Sequence, residues 1–523
     1  MPADSRPEES APAESAPQES APTEPDHHGV LQALISRRAE ETPNAVYLED
    51  ARSDRSVTYG RFARSVALWR DAFGDLGIRE GAAVLIDLND PLSFAVAHEA
   101  VVACGLRSIP VDPDAPGATL ERLSGLVGGA AMVISDREDR SQLPAITSAT
   151  VDALTWSPSD LRFSSHAAAA APREGGSAIL FTSGSTGEPK GVELSEAQLL
   201  HVASAIATHN ALTAHDRGFN PLPLFHVNAQ VVGLLATLVA GGTLVLDRRF
   251  HRTGFWELLN ERDITWLNAV PAILAVLARG GGMAVPARLR FIRSASAPLP
   301  DAVLDALGST PLVISYGMTE AASQITATPL DRSSPPGSVG VPVGTEVDVR
   351  DDDGRQVAPG QVGSLWIRGD GVIDGYYAGR AADRFDADGW LHTGDVGLVD
   401  ENGFVFLIGR IDDVINRGGE KVYPSEVEDV LLGDERVREA VVVGRADDIL
   451  GAVPVAYVML VDGTQDDSDL IDSLGVACKR LLPRSKRPVE INVVTDVPRA
   501  ATGKVQRSRM RAELAGEQSR AAS

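Results

Sequence analysis

A loop rich in glycine and hydroxyl side chains follows an apolar run at residues 177–181. Its sequence is Thr182-Ser183-Gly184-Ser185-Thr186-Gly187-Glu188-Pro189-Lys190-Gly191. The apolar run predicts a β-strand, and the glycines allow the backbone after it to turn tightly and point its N–H groups at an anion. The hydroxyl groups add donors, and Lys190 adds positive charge. A flexible Gly/Ser linker is the alternative, but the Val192-Glu193-Leu194 continuation encloses the loop, so we expect it to bind a polyphosphate.

The spacing of this loop differs from that of a Walker A loop. That loop has four residues between its first glycine and a Gly-Lys pair, and Ser or Thr follows the lysine. Here Gly184 and Gly187 are three positions apart, and Gly191 follows Lys190. Taken alone, the loop predicts phosphate binding and no particular reaction.

Length and composition limit the classes of protein to consider. The 523 residues, 44% hydrophobic and 23% charged, are enough for several globular cores. The net charge of −24 argues against nucleic acid or an anionic membrane as a partner. Two cysteines, Cys104 and Cys478, give no disulfide framework. No stretch is long and apolar enough to span a membrane, and the N-terminus lacks the order of a signal peptide, so we expect a cytoplasmic protein.

Residues 1–28 differ from the rest of the chain. They repeat Glu-Ser-Ala-Pro three times and are rich in acidic, Pro, Ser and Ala residues. Such a segment has almost nothing to bury, so it predicts a disordered acidic tail.

The remaining sequence predicts an α/β fold with two domains. Strand, helix and strand patterns alternate at residues 82–88, 92–104 and 107–111, which is typical of layered α/β architecture with mainly parallel sheets. Thr58 is a plausible N-cap for a helix that runs toward Leu76. Short strands with Gly and Asp turns at residues 337–406 predict a β-rich subdomain. We expect a large N-terminal domain at residues 29–410 and a small, mobile α+β domain at residues 411–523.

Four further motifs follow the phosphate loop in order along the chain. They are Ser315-Tyr316-Gly317-Met318-Thr319-Glu320, Leu391-His392-Thr393-Gly394-Asp395, Gly409-Arg410-Ile411-Asp412-Asp413 and Pro498-Arg499-Ala500-Ala501-Thr502-Gly503-Lys504. With the loop, this set resembles the adenylate-forming superfamily of acyl-CoA synthetases, firefly luciferase and peptide-synthetase adenylation domains. The resemblance runs from about residue 31 to residue 510. It implies that a carboxylate attacks the α-phosphate of ATP, which releases pyrophosphate and leaves an acyl-AMP.

The resemblance also implies which residues bind ATP and Mg²⁺. The β- and γ-phosphates would be bound by loop residues Thr182, Ser183, Gly184, Ser185, Thr186, Gly187 and Lys190. Adenine would stack on Tyr316, beside Gly317, with Ser296, Ala297 and Pro298 as the opposite wall. Ser296 stands where many members have Gly or Ala. Asp395 and Arg410 would bind the ribose, Thr319 the α-phosphate, and Glu320 the metal ion.

The C-terminal motifs imply a change of conformation between two half-reactions. Lys504 would bridge the attacking carboxylate and the α-phosphate. The C-terminal domain would then turn about Asp412 and replace the Lys504 loop with the segment around Gly418 and Gly419, where a pantetheine arm passes close to the backbone. His226 matches a position that gates this tunnel in relatives; a structural histidine is the alternative.

The acyl group should lie against the segment that begins at Phe225. We expect its pocket to include His226, Asn228, Gln230, Val231, Gly233, Ser294 and Met318. Relatives that activate amino acids have an Asp in this region that binds the α-ammonium group. No acidic residue occurs here between residues 225 and 246, so the resemblance disfavours an amino acid as substrate. The same segment has no Arg or Lys, which disfavours a dicarboxylic acid and leaves fatty, alicyclic and aryl acids. Asn228 and Gln230 could meet a polar group of the substrate or cap the backbone.

Three functions remain open at this point. The first is an acyl-CoA ligase that uses ATP, Mg²⁺ and CoA. The second is a stand-alone ligase that loads the phosphopantetheine of an acyl carrier protein. The third is a catalytically inactive nucleotide-binding regulator, which the intact Glu320, Asp395, Arg410 and Lys504 disfavour. The basic residues between Lys479 and Arg487 could meet either the 3′-phosphate of CoA or an acidic carrier helix.

Overall fold

The computed structural model describes residues 29–137, 147–152, 155–162, 175–183, 189–279, 283–297, 299, 301–331, 333–379, 381–461, 468–499 and 505–521. Several expectations from the sequence lie outside these ranges: the acidic tail at residues 1–28, the loop residues from Gly184 to Gly187, Pro298 and Lys504. None of the described helices is long and apolar enough to cross a lipid bilayer.

A mostly parallel sheet of seven strands forms one layer of the N-terminal part. In spatial order its strands are β7 (Pro158–Arg162), β6 (Thr147–Val151), β5 (Met132–Ser135), β3 (Ala83–Asp87), β4 (Arg107–Pro110), β8 (Ser177–Ser183) and β9 (Pro189–Ser195). β3 is buried along its whole length, as a parallel strand covered on both faces should be. β8 and β9 form an antiparallel hairpin in which Thr182 pairs with Lys190. This hairpin confirms the strand predicted before the phosphate loop.

A second sheet of nine strands forms the other layer. In spatial order its strands are β16 (Val341–Pro342), β15 (Thr326–Ala327), β14 (Leu312–Tyr316), β13 (Phe291–Ala295), β12 (Trp266–Ala269), β10 (Arg217–Asn220), β11 (Thr243–Leu246), β1 (Val46–Asp50) and β2 (Ser56–Thr58). The strands from β14 to β1 pair in parallel. Their carboxyl ends therefore meet at one edge of the sheet, where ligands of α/β proteins usually bind.

Helices cover both sheets. They are α1 (Val30–Glu41), α2 (Tyr59–Asp75), α3 (Pro91–Ala103), α4 (Gly117–Leu126), α5 (Glu196–His209), α6 (Ala236–Ala240), α7 (Phe255–Glu261), α8 (Pro271–Ala278) and α9 (Asp301–Leu307). All residues of α3 are buried, which is typical of a helix packed between layers. The hydroxyl of Thr58 accepts a hydrogen bond from the backbone N–H of Arg61 and caps α2, as the sequence predicts.

A small antiparallel sheet follows the second layer along the chain. Its strands are β17 (Glu346–Arg350), β18 (Gly363–Arg368), β19 (Leu391–Val399) and β20 (Val405–Arg410), paired in this order. It confirms the β-rich subdomain predicted for residues 337–406. Because β19 and β20 carry Asp395 and Arg410, this sheet brings two of the predicted ligand-binding residues together.

Residues after 413 form a mixed sheet with its own helices. The strands are β22 (Glu420–Val422), β21 (Ile415–Arg417), β24 (Gly451–Leu460), β23 (Val437–Asp447) and β25 (Glu490–Val493), and the helices are α10 (Pro424–Leu432), α11 (Ser468–Leu481) and α12 (Arg507–Ala521). Its apolar residues build cores of their own on either side of the sheet. The large core of the preceding residues ends at Val405.

One predicted helix has a different form in the structure. The apolar run at residues 231–239 predicts a regular helix, but residues Ala229–Leu235 form a π-helix that continues into α6. The wider π turn is common next to functional sites. Gly241 then ends the helix in the left-handed region, with φ of 79°.

The separate C-terminal core allows a test of local stability. Leu474 on α11 is 0% exposed within that core, so Leu474→Ala should cost about 2–5 kcal/mol of unfolding free energy. Hydrogen exchange should accelerate in peptides from β23 and β24 and stay unchanged in β3 and α3. Leu481→Ala on the same helix is the control, because Leu481 is 57% exposed. Equal acceleration in all four elements would show that the two parts share one cooperative core.

Candidate active site

The first predicted motif lies where β14 ends. Tyr316 is the last residue of the strand, and a single 3-10 turn at Thr319–Ala321 follows it. Gly317 is required between them, because a Cβ at this position would lie 1.7 Å from the carbonyl oxygen of Ser323. The chain therefore folds back tightly on itself, and this fold presents Thr319 and Glu320 at the edge of the sheet.

Tyr316 begins a chain of polar contacts that joins the nine-stranded sheet to the small antiparallel sheet. Its hydroxyl donates to Asp395 Oδ2 at 2.5 Å, and Arg410 Nη1 donates to Asp395 Oδ1 at 2.9 Å. Asp395 and Arg410 are paired residues of β19 and β20. Burial, with the neighbouring Asp395 carboxylate, raises the pKa of Tyr316 well above its ordinary value. The tyrosine therefore keeps its proton, and Asp395 is oriented from two sides.

Glu320 lies in a second polar group that sequence reasoning missed. Tyr376 donates to Glu320 Oε1 at 2.7 Å and accepts from Arg384 Nη1 at 2.6 Å. Arg384 Nη1 is also 3.6 Å from the Glu320 carboxylate and Arg384 donates to the backbone oxygen of His392. The ammonium group of Lys190 lies 5.7 Å from the centre of the Tyr376 ring. Two cations thus flank Tyr376 beside the buried Glu320.

The donor set fits a magnesium ion bound together with a polyphosphate. Among the described residues no group of three or more His, Cys, Asp or Glu could hold a metal ion by itself. Mg²⁺ usually takes one or two carboxylates and completes its shell with water and substrate phosphates. A single buried carboxylate at Glu320, with Lys190 nearby, is consistent with that mode of binding.

The predicted acyl wall lies beside these groups. His226 is half-buried and stacks at a tilt against Phe225, with ring centres 4.4 Å apart. Asn228 precedes the π-helix, and its Oδ1 accepts from Asn268 at 2.8 Å. Gln230 is fully buried and donates to the backbone oxygen of Leu224 at 2.9 Å, so it caps the backbone. Three other pocket residues are buried or half-buried at this edge: Val231, Ser294 and Met318.

The backbone also constrains one residue of the predicted acyl pocket, Gly233, and one residue of the predicted adenine wall, Ser296. Gly233 on the π-helix lies close to Asn220, since a Cβ there would be 3.6 Å from the Asn220 amide. Ser296 has φ of 85°, in the left-handed region that favours glycine. This explains in physical terms why glycine suits the Ser296 position. Ser296 and Ala297 are exposed at the end of β13.

A buried polar network beneath the acyl wall was also missed. It runs through Asn220, Asn268 and Arg293, which stand on the neighbouring strands β10, β12 and β13. Arg293 continues it to Ser315 at 2.8 Å and Gln324 at 3.0 Å. The available signal was a polar side chain in each of three separate segments that form strands. Only the alignment of parallel strands turns these separate residues into one network.

The C-terminal residues singled out by the sequence are Asp412, Gly418 and Gly419. Asp412 is in a 3-10 turn, Ile411–Asp413, that connects β20 to β21. Gly418 and Gly419 form the turn between β21 and β22, and their N–H groups bind Leu450 and Asn416 of the same unit. Lys421 on β22 forms a salt bridge of 2.8 Å with Asp352 of the antiparallel sheet. In this arrangement the two glycines are thus hydrogen-bonded within their own sheet.

Comparison with known proteins agrees with this geometry. The family pattern described as AMP-binding enzyme matches residues 35–377, and that described as AMP-binding enzyme C-terminal domain matches residues 426–504. A sulfoacetate–CoA ligase of Cupriavidus necator is 33% identical over 93% of this chain and 98% of its own length. An oxalate–CoA ligase of Arabidopsis thaliana is 32% identical over 83% of this chain and 88% of its own length.

A solved structure has the same fold. The o-succinylbenzoate coenzyme A synthetase of Bacillus subtilis, in complex with ATP and magnesium ion, superposes with a TM-score of 0.77. It is 28% identical, and the match covers 91% of this chain and 98% of that one. The first family pattern alone covers well over half of the 523 residues. On the evidence of its two matched patterns and its full-length relatives, the chain belongs to the family of AMP-binding enzymes.

Proposed function

We propose that the edge where β14 ends is the site of both half-reactions of a carboxylic acid–CoA ligase. The overall reaction consumes an acid, ATP and CoA and gives an acyl-CoA, AMP and pyrophosphate. The observation that carries the assignment is the convergence of two polar groups, Tyr316–Asp395–Arg410 and Glu320–Tyr376–Arg384, beside the hairpin of Thr182 and Lys190.

The first polar group is suited to a nucleoside. Tyr316 offers a ring face for adenine, with Ser296, Ala297 and Pro298 opposite. Asp395 is oriented by its two donors, Tyr316 and Arg410. Its carboxylate could accept hydrogen bonds from both ribose hydroxyls, and Arg410 could donate to the same sugar. These are the roles that the resemblance to the adenylate-forming superfamily implies, and the contacts among Tyr316, Asp395 and Arg410 support them.

The second polar group is suited to the phosphates. Thr182, Ser183, Ser185, Thr186 and Lys190, with Gly184 and Gly187, would surround the β- and γ-phosphates. Thr319 would donate to the α-phosphate, and Glu320 would hold Mg²⁺, which supplies neutralisation of phosphate charge when bound. An oxygen of the acid attacks the α-phosphorus, the bond to the bridging oxygen breaks, and pyrophosphate leaves with that electron pair. Fixed donors around the phosphates stabilise the charge that develops.

The thioester step uses the other face of the C-terminal part. We propose that residues 411–523 form a domain that turns about Asp412, so that the Lys504 loop gives way to the segment with Gly418 and Gly419. The thiolate then attacks the acyl carbon and AMP leaves. Separate cores on the two sides of the short Ile411–Asp413 turn support such a movement. His226, half-buried at the acyl wall, would gate the path of the thiol.

The names of the relatives suggest the class of acid. Sulfoacetate, oxalate and 2-succinylbenzoate each carry a second acidic group in addition to the carboxylate that is activated. We propose that the acid used by this chain also has two anionic groups. The sequence analysis disfavoured a dicarboxylic acid because residues 225–246 contain no Arg or Lys, and this proposal reverses that expectation. Asn228 of that segment is connected through Asn268 to Arg293, a cation on another strand.

The acceptor and the compartment are proposals of the same kind. We propose free CoA as the acceptor, because the relatives are CoA ligases, and a carrier protein remains the second candidate. The basic residues Lys479, Arg480 and Arg484 lie near the end of α11 and could meet the 3′-phosphate of CoA. Cytoplasm is the proposed location, since Cys104 and Cys478 are both free thiols.

Lys504→Ala should separate the two half-reactions. Loss of one preorganised charge should lower ATP–pyrophosphate exchange by about 10²–10³-fold. Thioester formation from supplied acyl-AMP should stay within about threefold of the unmodified enzyme, because Lys504 acts only in the first step. Arg509→Ala is the control, since Arg509 is an exposed residue that pairs with Glu513 on α12. An equal loss in both half-reactions would contradict the assignment of Lys504.

Tyr376→Phe should weaken the use of Mg²⁺. The hydroxyl of Tyr376 orients Glu320, and a hydrogen bond to a charged group contributes about 1.5–3 kcal/mol. We therefore expect the Mg²⁺ concentration at half-maximal exchange to rise about tenfold. Tyr377→Phe makes the same change at the next residue, whose hydroxyl is 3.5 Å from the backbone oxygen of Val127. If both variants shift the Mg²⁺ titration alike, Tyr376 has no specific role at Glu320.

Free CoA should be sufficient as the acceptor. The full chain, its acid, ATP and Mg²⁺ should give a thioester with CoA at an ordinary micromolar-to-millimolar KM. The parallel reaction replaces CoA with a phosphopantetheinylated carrier protein. A thioester found on the carrier alone would overturn the choice of CoA and leave the adenylation step intact.

A further inference from the structure

Arg293 is a fully buried cation whose described partners are all neutral. It lies in the middle of β13 with 0% exposure. Its guanidinium donates to Ser315 Oγ at 2.8 Å and to Gln324 Oε1 at 3.0 Å, and lies 3.5 Å from Asn268 Oδ1. Burial lowers the pKa of Arg293 to about 9. A buried charge without an opposite charge is costly, so its retention calls for an explanation.

The network around Arg293 has more donors than acceptors. Arg293 Nε and Gln324 Nε2 are buried N–H donors without a hydrogen-bond partner among the described residues. Most buried polar groups in proteins are paired, and two unpaired donors next to a cation are complementary to an anion. The unfilled hydrogen-bonding capacity here is therefore that of a missing acceptor with negative charge.

The network lies between the nucleotide motif and the acyl wall. Ser315, which Arg293 contacts, directly precedes Tyr316 on β14. On the other side, Asn268 Nδ2 donates to Asn228 Oδ1 at 2.8 Å, and Asn228 directly precedes the π-helix. A small acid bound between Tyr316 and the acyl wall would thus lie next to this network.

We propose that Arg293, with Gln324 and Asn268, is the subsite that recognises a second anionic group, a carboxylate or a sulfonate, on a short-chain acid. This inference rests on the proposed ligase function and names the residues that determine its specificity. The anion completes the hydrogen bonds of Arg293 Nε and Gln324 Nε2. An acid with a methyl group in that position would leave both donors unpaired, which disfavours its binding.

The test compares acids that differ only at the far end. The full chain is assayed by ATP–pyrophosphate exchange with oxalate, malonate, succinate and sulfoacetate, and with their methyl-terminated counterparts. The counterparts are acetate for oxalate, propionate for malonate and sulfoacetate, and butyrate for succinate. The unmodified enzyme should prefer at least one dianionic acid over its counterpart by about 10²-fold or more in kcat/KM. Arg293→Met should reduce that preference by about 10²-fold, mainly through the KM of the dianionic acid. The kcat/KM for the methyl-terminated acid should stay within about threefold.

Two further variants keep the test decisive. Gln324→Met removes one unpaired donor without changing a charge, so it should lower the preference by about tenfold, and it decides the matter if Arg293→Met does not fold. Arg288→Met is the matched control, because Arg288 is a surface residue paired with Asp263. It should leave the preference and the thermal midpoint unchanged.

The outcomes distinguish this inference from the function on which it rests. Exchange with methyl-terminated acids as good as that with dianionic acids, or equal losses for both in Arg293→Met and Gln324→Met, would overturn the subsite and leave the ligase assignment in place. Exchange and thioester formation with only other monoanionic acids, such as benzoate, would do the same. Failure of every acid to support exchange would overturn both.

Discussion

The hydrogen bond between Tyr316 and Asp395 connects the parts of the molecule that must act together. It spans 2.5 Å and joins the last residue of a parallel strand to the antiparallel sheet. Asp395 is paired with Arg410, after which the chain enters the turn at residues 411–413. The same contact therefore positions the Tyr316 ring, the Asp395 carboxylate that we propose binds the ribose, and the start of the C-terminal part. A change in the docking of the antiparallel sheet would move all three.

Polar groups are buried at this edge in spite of their cost to stability. Arg293, Gln324, Gln230 and Ser294 each have a buried polar atom without a partner among the described residues. Each such atom costs about 1–3 kcal/mol relative to a satisfied one. The large apolar core on both layers offsets this cost, which is the usual compromise of a preorganised site. A ligand that satisfies these groups should therefore stabilise the protein as well as react.

Local sequence patterns predicted the fold and the contiguous motifs because their information lies within a few residues. Thr58 at its helix, the alternating strands around residues 82–111 and the β-rich region of residues 337–406 are examples. Arg384 and Arg293 were missed because their roles depend on residues distant in sequence. Arg384 reaches Glu320 across 64 positions through Tyr376, and no local pattern marks it. Arg293 lies within an apolar strand, and only the parallel order of β10, β12, β13 and β14 reveals its partners.

The contacts between the two parts of the chain include a surface salt bridge and a hydrogen bond from Ser425 Oγ to the backbone oxygen of Ile408. Lys421 and Asp352 are 53% and 80% exposed, and exposed ion pairs of this type contribute about 1 kcal/mol or less. By contrast, Asp413, the last residue of the Ile411–Asp413 turn, forms salt bridges with two residues of α12. They are Arg511 at 2.9 Å and Arg507 at 3.8 Å. Asp413 thus attaches the turn to the C-terminal unit. The preceding residue, Asp412, is the position about which we propose that this unit turns. The salt bridge across the boundary is weak, and the anchor at Asp413 lies within the C-terminal unit. Both observations are compatible with the rotation about Asp412 that we propose, because it would leave the core of that unit intact.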